Sequence, residues 1–460
     1  MNTRKTNKME TMAMPALVLN MSLPIMVSLL VQSLYNIVDG IFVSRLSEAA
    51  LTATSLAYPV QMLMIAVGVG TAVGLNAALS QTLGKKDLGE ASQVAVTGLM
   101  LSALSAAVFT LAGLFAPALA DHFTADAAIA GACGDYLRIC MVFCLGNLLC
   151  MTFQRILQAA GNTLLSMAVL ACGAVTNVAL DPIMIFGLLG CPALGIRGAA
   201  WATVIGQWVS MLLGLWLCLR KNPDVRLTLR GFSFDLGRVR AIYQVGLPAI
   251  VTQGLNSVMV TAFNAILLPF SATAVAFFGV YCKLQSFLFM PMSGLGQALV
   301  PIVGYNYGAG RRDRILQSAR VAYPAAAVIA LGGTALFCLG GRPLLGLFSA
   351  GGEMLSLGVP ALRLLSVTFL LAAVTNLTGY FASGLGDGVT NMAGSILRQF
   401  VPLLPCAWLL ASAGGVEAVW YSFWISEGAA AVFALVRFRQ LRAKKGLISP
   451  PQTLDKVPEV

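Results

Sequence analysis

The chain has 460 residues, of which 58% are hydrophobic and 10% charged, with a mean hydropathy of +0.83 and a formal net charge of +11. Soluble domains carry about 25% charged residues, and so few charges could not cover the surface of a soluble globule of this size. Lipid is the solvent that fits, and the period-two alternation of an outer-membrane barrel is absent.

Apolar runs of the length needed to cross a bilayer recur along the chain. They predict helices at 14–43, 51–82, 92–118, 130–157, 164–188 and 198–220, then at 241–268, 273–306, 316–340, 355–383, 389–412 and 416–438. The first run is too long for a secretory signal and has no clear small-residue cleavage site, so it reads as a retained first helix. The expected fold is an all-α membrane protein of about twelve helices in two six-helix lobes. The expected division is 1–220 for the first lobe, 221–242 for a linker, 243–440 for the second lobe and 441–460 for a tail.

Charge placement gives an orientation. Both tails, Lys85–Lys86, and the 220–240 and 311–320 segments hold 21 of the 29 Lys and Arg residues, whereas the opposite loops hold Arg45, Arg197 and Arg342. Positive residues mark the cytoplasmic side, so both termini are expected there, in a multi-pass plasma or inner membrane protein. The same asymmetry accounts for the basic balance without nucleic acid. The ten cysteines lie mostly in apolar helices and signal neither a disulfide framework nor a zinc site.

The two halves repeat. Pro24 matches Pro248 and Gln32-Ser33 matches Asn256-Ser257 at an offset of 224, and Gly84 matches Gly308 at the same spacing. Leu137-Arg138 matches Leu362-Arg363, and Gly161-Asn162 matches Gly386-Asp387, at an offset of 225. Six helices return the chain to its starting side, so both halves share one orientation. Two such lobes can rock about a midplane site, which favours a carrier over an enzyme.

Ionisable side chains inside a bilayer cost about 2.5–3.5 kcal/mol each on insertion scales, so they point to function. Asp39 lies in the outer half of the first helix. Asn177 and Asp181 share one face of the fifth by their i, i+4 spacing, and Thr203 of the sixth lies at similar depth. Close carboxylates favour proton sharing, and the same oxygens suit a hard cation such as sodium. The competing reading makes Asp39 a helix cap and Asp181 a local hydrogen-bonding partner beside Pro182.

The second half lacks the acidic pair. It carries Lys283 in the eighth helix, Arg398 in the eleventh and Glu427 in the twelfth. Arg398 and Glu427 suit a buried ion pair, or Glu427 attracts a cationic substrate. Phe263, Phe287, Phe289, Met290 and Tyr380 are candidates for a cavity accepting flat cations, with packing as the alternative. Gly68-Val-Gly70-Thr-Ala-Val-Gly74 looks like a dinucleotide loop but follows no strand, so it reads as a helix-packing face. No nucleophile–base pair for hydrolysis is present.

Gln32-Ser-Leu-Tyr-Asn36-Ile-Val-Asp39 after Pro24, Leu157 to Thr163, Asn177-Val-Ala-Leu-Asp181-Pro182, Gly195 through Gln207, and Tyr305-Asn-Tyr-Gly308 together resemble the MATE family, the multidrug and toxic compound extrusion transporters. The resemblance covers nearly the whole chain. It implies two six-helix lobes in a V and antiport of cationic drugs against protons or sodium, with no other cofactor. It places the cation-coupling site, and a sodium ion if sodium is used, at Asp39, Asn177, Asp181 and Thr203. Members with essential acids in the seventh and tenth helices differ from this chain, which has Asn256 and no intramembrane carboxylate there. The first lobe is thus the expected coupling lobe. The expected substrate cavity comprises Gln32, Asn36, Asn256, Lys283, Phe287, Met290, Arg398 and Glu427. Ion binding would move the first helix by bending it near Pro24. The expected partners are small organic cations and membrane lipid, and the expected assembly is a monomer. A flippase of lipid-linked precursors from the same broad superfamily is the alternative.

Overall fold

The computed structural model describes residues 7–228, 231–348 and 351–447, which form helices and no strand. Residues 1–6 and 448–460, the outer parts of the two expected tails, lie outside the described residues.

Twelve helical units follow in chain order. The first half contains α1 (Met14–Leu46), α2 (Glu48–Gly84), α3 (Leu88–Gly113), α4 (Ala127–Val142 with Leu145–Ala159), α5 (Thr163–Phe186) and α6 (Ile196–Lys221). The second contains α7 (Leu236–Leu267), α8 (Ala272–Gly308), α9 (Arg312–Gly346), α10 (Gly352–Val367 with Phe369–Gly384), α11 (Gly388–Gln399 with Leu403–Val419) and α12 (Tyr421–Lys444). All but α12 are long and apolar enough to cross a membrane, with α4 and α10 each counted as one bent span. Glu427 and a run of Arg and Lys lower the hydropathy of α12.

Caps written in the sequence start several helices. Ser47, Asp87, Asp126, Asp235, Ser271 and Asp387 each accept a hydrogen bond from a first-turn amide. The helices expected at 130–157 and 355–383 are each broken. The breaks, near Phe143 and Thr368, bend the chain by 47° and 45°. These positions are 225 residues apart, so the duplication reaches the backbone geometry. The same holds at the α4–α5 and α10–α11 turns, where Gly161 and Gly386 have φ of 88° and 84°, a region open to glycine at little cost.

Packing repeats as well. In the first lobe α1 lies on α5, α5 on α6, and α2 on α3 and α4; in the second, α7 lies on α11, α11 on α12, and α8 on α9 and α10. The lobes join through α2 against α7, α8 against α1, and α2 against α8. These contacts depend on bare backbone. A Cβ on Gly74 would lie 2.1 Å from the Ile242 carbonyl oxygen, one on Gly84 2.0 Å from that of Tyr305, and one on Gly308 1.9 Å from that of Gln81. Gly70 meets Gly246 and Ile250 in the same way, so the glycine run in α2 is a packing face. Gln81 Nε2 adds a hydrogen bond of 2.8 Å to the Gly384 carbonyl.

The close approaches at residues 81–84 and 305–308 lie at the end where the basic segments gather, and there a short N-terminal turn (Lys8–Thr11) straddles both lobes. Glu10 pairs with Lys86 of the first lobe at 3.2 Å and with Arg311 of the second at 2.7 Å. Arg314 donates to the Met9 and Met12 carbonyls, and Asn7 donates to Asp224 and to the Ala160 carbonyl. The segment joining the lobes is strapped along α3: Ser92 donates to the Arg226 carbonyl, Gln93 bonds Gly231 and Ser233, and Arg238 grips Glu90 with two nitrogens at 2.8 and 2.9 Å. Nothing lies within 4 Å of where a Cβ would project from Gly40 of α1 or Gly254 of α7, nearer the other end.

Candidate functional site

Asp39 sits seven residues before the end of α1, inside an unbroken helix that runs through Pro24, so it caps no terminus. Asp181 is fully buried on α5 and Asn177 nearly so. Asn177 Nδ2 donates to Asp181 Oδ1 at 3.4 Å and to Thr203 Oγ1 of α6 at 3.3 Å, so three of the four expected coupling residues touch. Asp39 stands on α1, which packs against α5, and Tyr136 stands on α4, which packs against α6. Tyr136 accepts a hydrogen bond from Gln61 of α2 at 3.4 Å. Asp39 Oδ1, Asn177 Oδ1 and Asp181 Oδ2 are buried with no hydrogen-bond partner among the described residues. Buried polar oxygens are normally satisfied, and each of these three can accept a hydrogen bond or lie against a cation.

Each lobe holds a cavity. The first, about 140 Å³, is lined by Gln32, Tyr35, Asn147, Gln154, Arg155, Asn177 and Thr203 among others, so it adjoins the Asn177–Asp181–Thr203 trio. The second, about 370 Å³, is lined by Asn256, Gln285, Phe289, Asn376, Tyr380, Arg398 and further polar groups. Val69 and Arg155 line both, so the cavities adjoin at the lobe boundary.

The expected cavity residues divide. Gln32, Asn256 and Arg398 line a cavity. Asn36 is exposed and lines neither, and the same is true of Lys283 and Phe287. Met290 also lies outside both. The reason is rotational: α8 turns Gln285, Phe289, Ser293 and Gln297 inward at intervals of four, which carries 283, 287 and 290 onto other flanks. Phe263 is wholly buried in an aromatic core with Phe278, Trp420 and Phe423. Glu427 is buried behind the cavity wall, with Arg398 Nε 3.8 Å from its Oε1, while Arg398 Nη1 donates to Asn376 at 3.1 Å.

Sequence reasoning passed over Arg155, Tyr136 and Gln61. Arg155 was findable as an arginine inside an apolar span. Tyr136 and Gln61 carry no such mark, since their role comes from where α4 and α2 cross the cluster.

Known proteins match this arrangement. The MatE family model covers residues 24–183 and 248–409, one copy in each half. The chain is 26% identical over 430 residues to the multidrug export protein MepA of Staphylococcus haemolyticus, covering 92% of this chain and 93% of that one. It is 28% identical over 305 residues to a FAD transporter of Shewanella oneidensis, covering 65% and 67%. Among solved structures, an outward-facing MATE multidrug resistance transporter superposes with a TM-score of 0.89 at 26% identity, covering 97% of this chain and 100% of that one. A MOP superfamily transporter from Pyrococcus furiosus does so with the same score at 25% identity. A duplicated helical frame, a family model matched once in each lobe, and whole-length likeness to export proteins agree: this chain belongs to the MATE family of multidrug efflux transporters, membrane carriers and not enzymes.

Proposed function

We propose that the chain is a cation-coupled antiporter that exports small organic cations by alternating access. The observation that carries this reading is the trio of orphaned buried oxygens on Asp39, Asn177 and Asp181. A proton on the carboxylates, or a sodium ion held by those oxygens with Thr203, would lower the negative charge of the cluster by one. The guest would then change the balance between the lobes, because it binds one arrangement better than the other. The membrane potential supplies about 2.3 kcal/mol per net charge per 100 mV, so exchanging one ion for one monovalent organic cation runs on the ion's concentration gradient, and a second ion adds the potential.

The basic end, sealed by the glycine contacts and the N-terminal turn, faces the cytoplasm on the positive-inside rule. The seal at that end fits an outward-facing arrangement, and the protein is read as a monomer in the cell membrane. The names of the relatives speak of export and favour that over lipid flipping.

The test is transport of a cationic dye in proteoliposomes under an imposed pH or sodium gradient. Wild type should accumulate dye with one gradient, and Asp39→Asn should lose the dependence while eluting as a folded monomer in detergent. Gradient-driven transport at the wild-type level in Asp39→Asn overturns the reading.

A further inference from the structure

The internal duplication places the two cavities in register, position by position, and shows how they differ. At an offset of 224 or 225, Val69 corresponds to Ser293, Met151 to Asn376, Leu170 to Ser395, Gly173 to Arg398 and Ala174 to Gln399. Every residue of these five pairs lines the cavity of its own lobe. An apolar or small residue in the first lobe has become a hydrogen-bonding or cationic residue in the second, five times over. Packing alone does not ask for this, because the first lobe folds with the apolar set.

The charged residues in the wall of the second cavity are Arg155 and Arg398. Among the described residues no carboxylate lies within salt-bridge distance of Arg155, which donates to Gln158 Oε1 at 2.8 Å. The shortest approach of Arg398 to Glu427 is from Nε to Oε1 at 3.8 Å, and Glu427 stands outside the lining. Opposite Arg155, at the duplicated position, stands Tyr380, so an aromatic ring and a guanidinium occupy related places in the wall. Side-chain amides of Gln253, Asn256, Gln285 and Asn391 complete it.

From this wall we infer that the second-lobe cavity is an anion subsite for planar solutes that carry a carboxylate or a phosphate. The guanidinium fork matches both oxyanions, the amides serve the rest of a polar solute, and the rings stack on its plane. The inference rests on the reading of the chain as an exporter of organic solutes and extends its range from cations to zwitterions and anions. The carboxylate cluster lies in the other lobe, so a zwitterion can lay its two charges toward opposite lobes.

The test is equilibrium binding to the purified full chain in detergent, read by fluorescence anisotropy without any gradient. The probes share one xanthene ring: 5-carboxyfluorescein is anionic and rhodamine 123 cationic. Wild type should bind 5-carboxyfluorescein, and Arg398→Gln and Arg155→Gln should each weaken it by about tenfold or more, the size expected for a charge-assisted hydrogen bond. Arg398→Lys should restore part of the loss, and rhodamine 123 affinity should hold or rise in both glutamine variants. Failure of wild type to bind 5-carboxyfluorescein overturns the inference, as does an equal loss of both dyes in either variant. Displacement of 5-carboxyfluorescein by phosphatidylglycerol doped into the micelles would assign the arginines to a lipid headgroup and overturn the soluble-substrate assignment. Because binding needs no gradient, a failure of ion coupling leaves this result untouched, and a failure here leaves ion coupling untouched.

Discussion

Replacing Gly308 by alanine should force the two lobes apart at their basic end. The new Cβ would lie 1.9 Å from the Gln81 carbonyl oxygen, where ordinary contact begins at 3.4 Å. The neighbour is backbone in the last turn of α2, so no side chain can swing aside, and relief needs α2 and α8 to separate by about 1.5 Å. Overpacking of this kind costs about 1–3 kcal/mol. The strain is specific to the arrangement sealed at this end, so it should raise the population open there by about 5–150-fold. The reporter is Ser80→Cys, a fully buried position on α2 that packs against Gly304 of α8. Its maleimide labelling rate should rise in the Gly308→Ala background, above the signal of the ten native cysteines. Gly84→Ala should act in the same direction, and the pair should fall short of additive because one separation relieves both clashes. Gly254→Ala is the control, with nothing within 4 Å of its Cβ position. Equal Ser80→Cys labelling in the Gly308→Ala and unaltered backgrounds, with both proteins folded, would refute the reasoning.

Other perturbations follow from the same geometry. Glu10→Gln removes two ion pairs across the lobes whose basic partners are 65% and 45% exposed, so each is worth about 0.2–1 kcal/mol. Ser80→Cys labelling should rise modestly, and the difference from wild type should shrink in 1 M salt, which screens such pairs. Glu90→Gln weakens the two-nitrogen grip of Arg238 and should raise the same labelling rate. Asp387→Ala removes the α11 cap and the Arg437 pair at 3.0 Å, which should cost about 1–2 kcal/mol and lower the thermal midpoint in detergent. Thr203→Val leaves Asn177 with Asp181 alone, so transport should need a higher concentration of the coupling ion without being abolished, as measured in proteoliposomes.

The fold was legible in the sequence because a bilayer imposes long apolar runs and duplication leaves a fixed offset. The match of Pro24 with Pro248 and of Gly161 with Gly386 foretold the pairing of helices that the structure repeats. The Asn177–Asp181 spacing read correctly because four residues on one helix must share a face. The second cavity was less legible for a related reason. Lys283, Phe287 and Met290 were chosen for their chemistry, whereas the rotation of α8 gives the cavity to Gln285, Phe289 and Ser293. That rotation is set by packing against α1, α2 and α10, which no local pattern records. The breaks near Phe143 and Thr368 carry no proline at the bend, so hydropathy ran straight across them. The N-terminal turn escaped notice because four residues carry no period, and its place is fixed by partners about 300 residues away, such as Arg311 and Arg314.

The strapping of the connecting segment to α3 bears on how the halves can be separated. A slack leash would let either half wander and would tolerate almost any insertion. This one is held by Asn7 at Asp224 and by α3 at Arg226, Gly231, Ser233 and Arg238, so it behaves as one leaf of a joint whose pin lies at the start of α7. Severing the chain there should leave two pieces that still find each other. Lengthening it between Ser233 and Leu236 should slacken the joint and blur the two resting positions of the carrier.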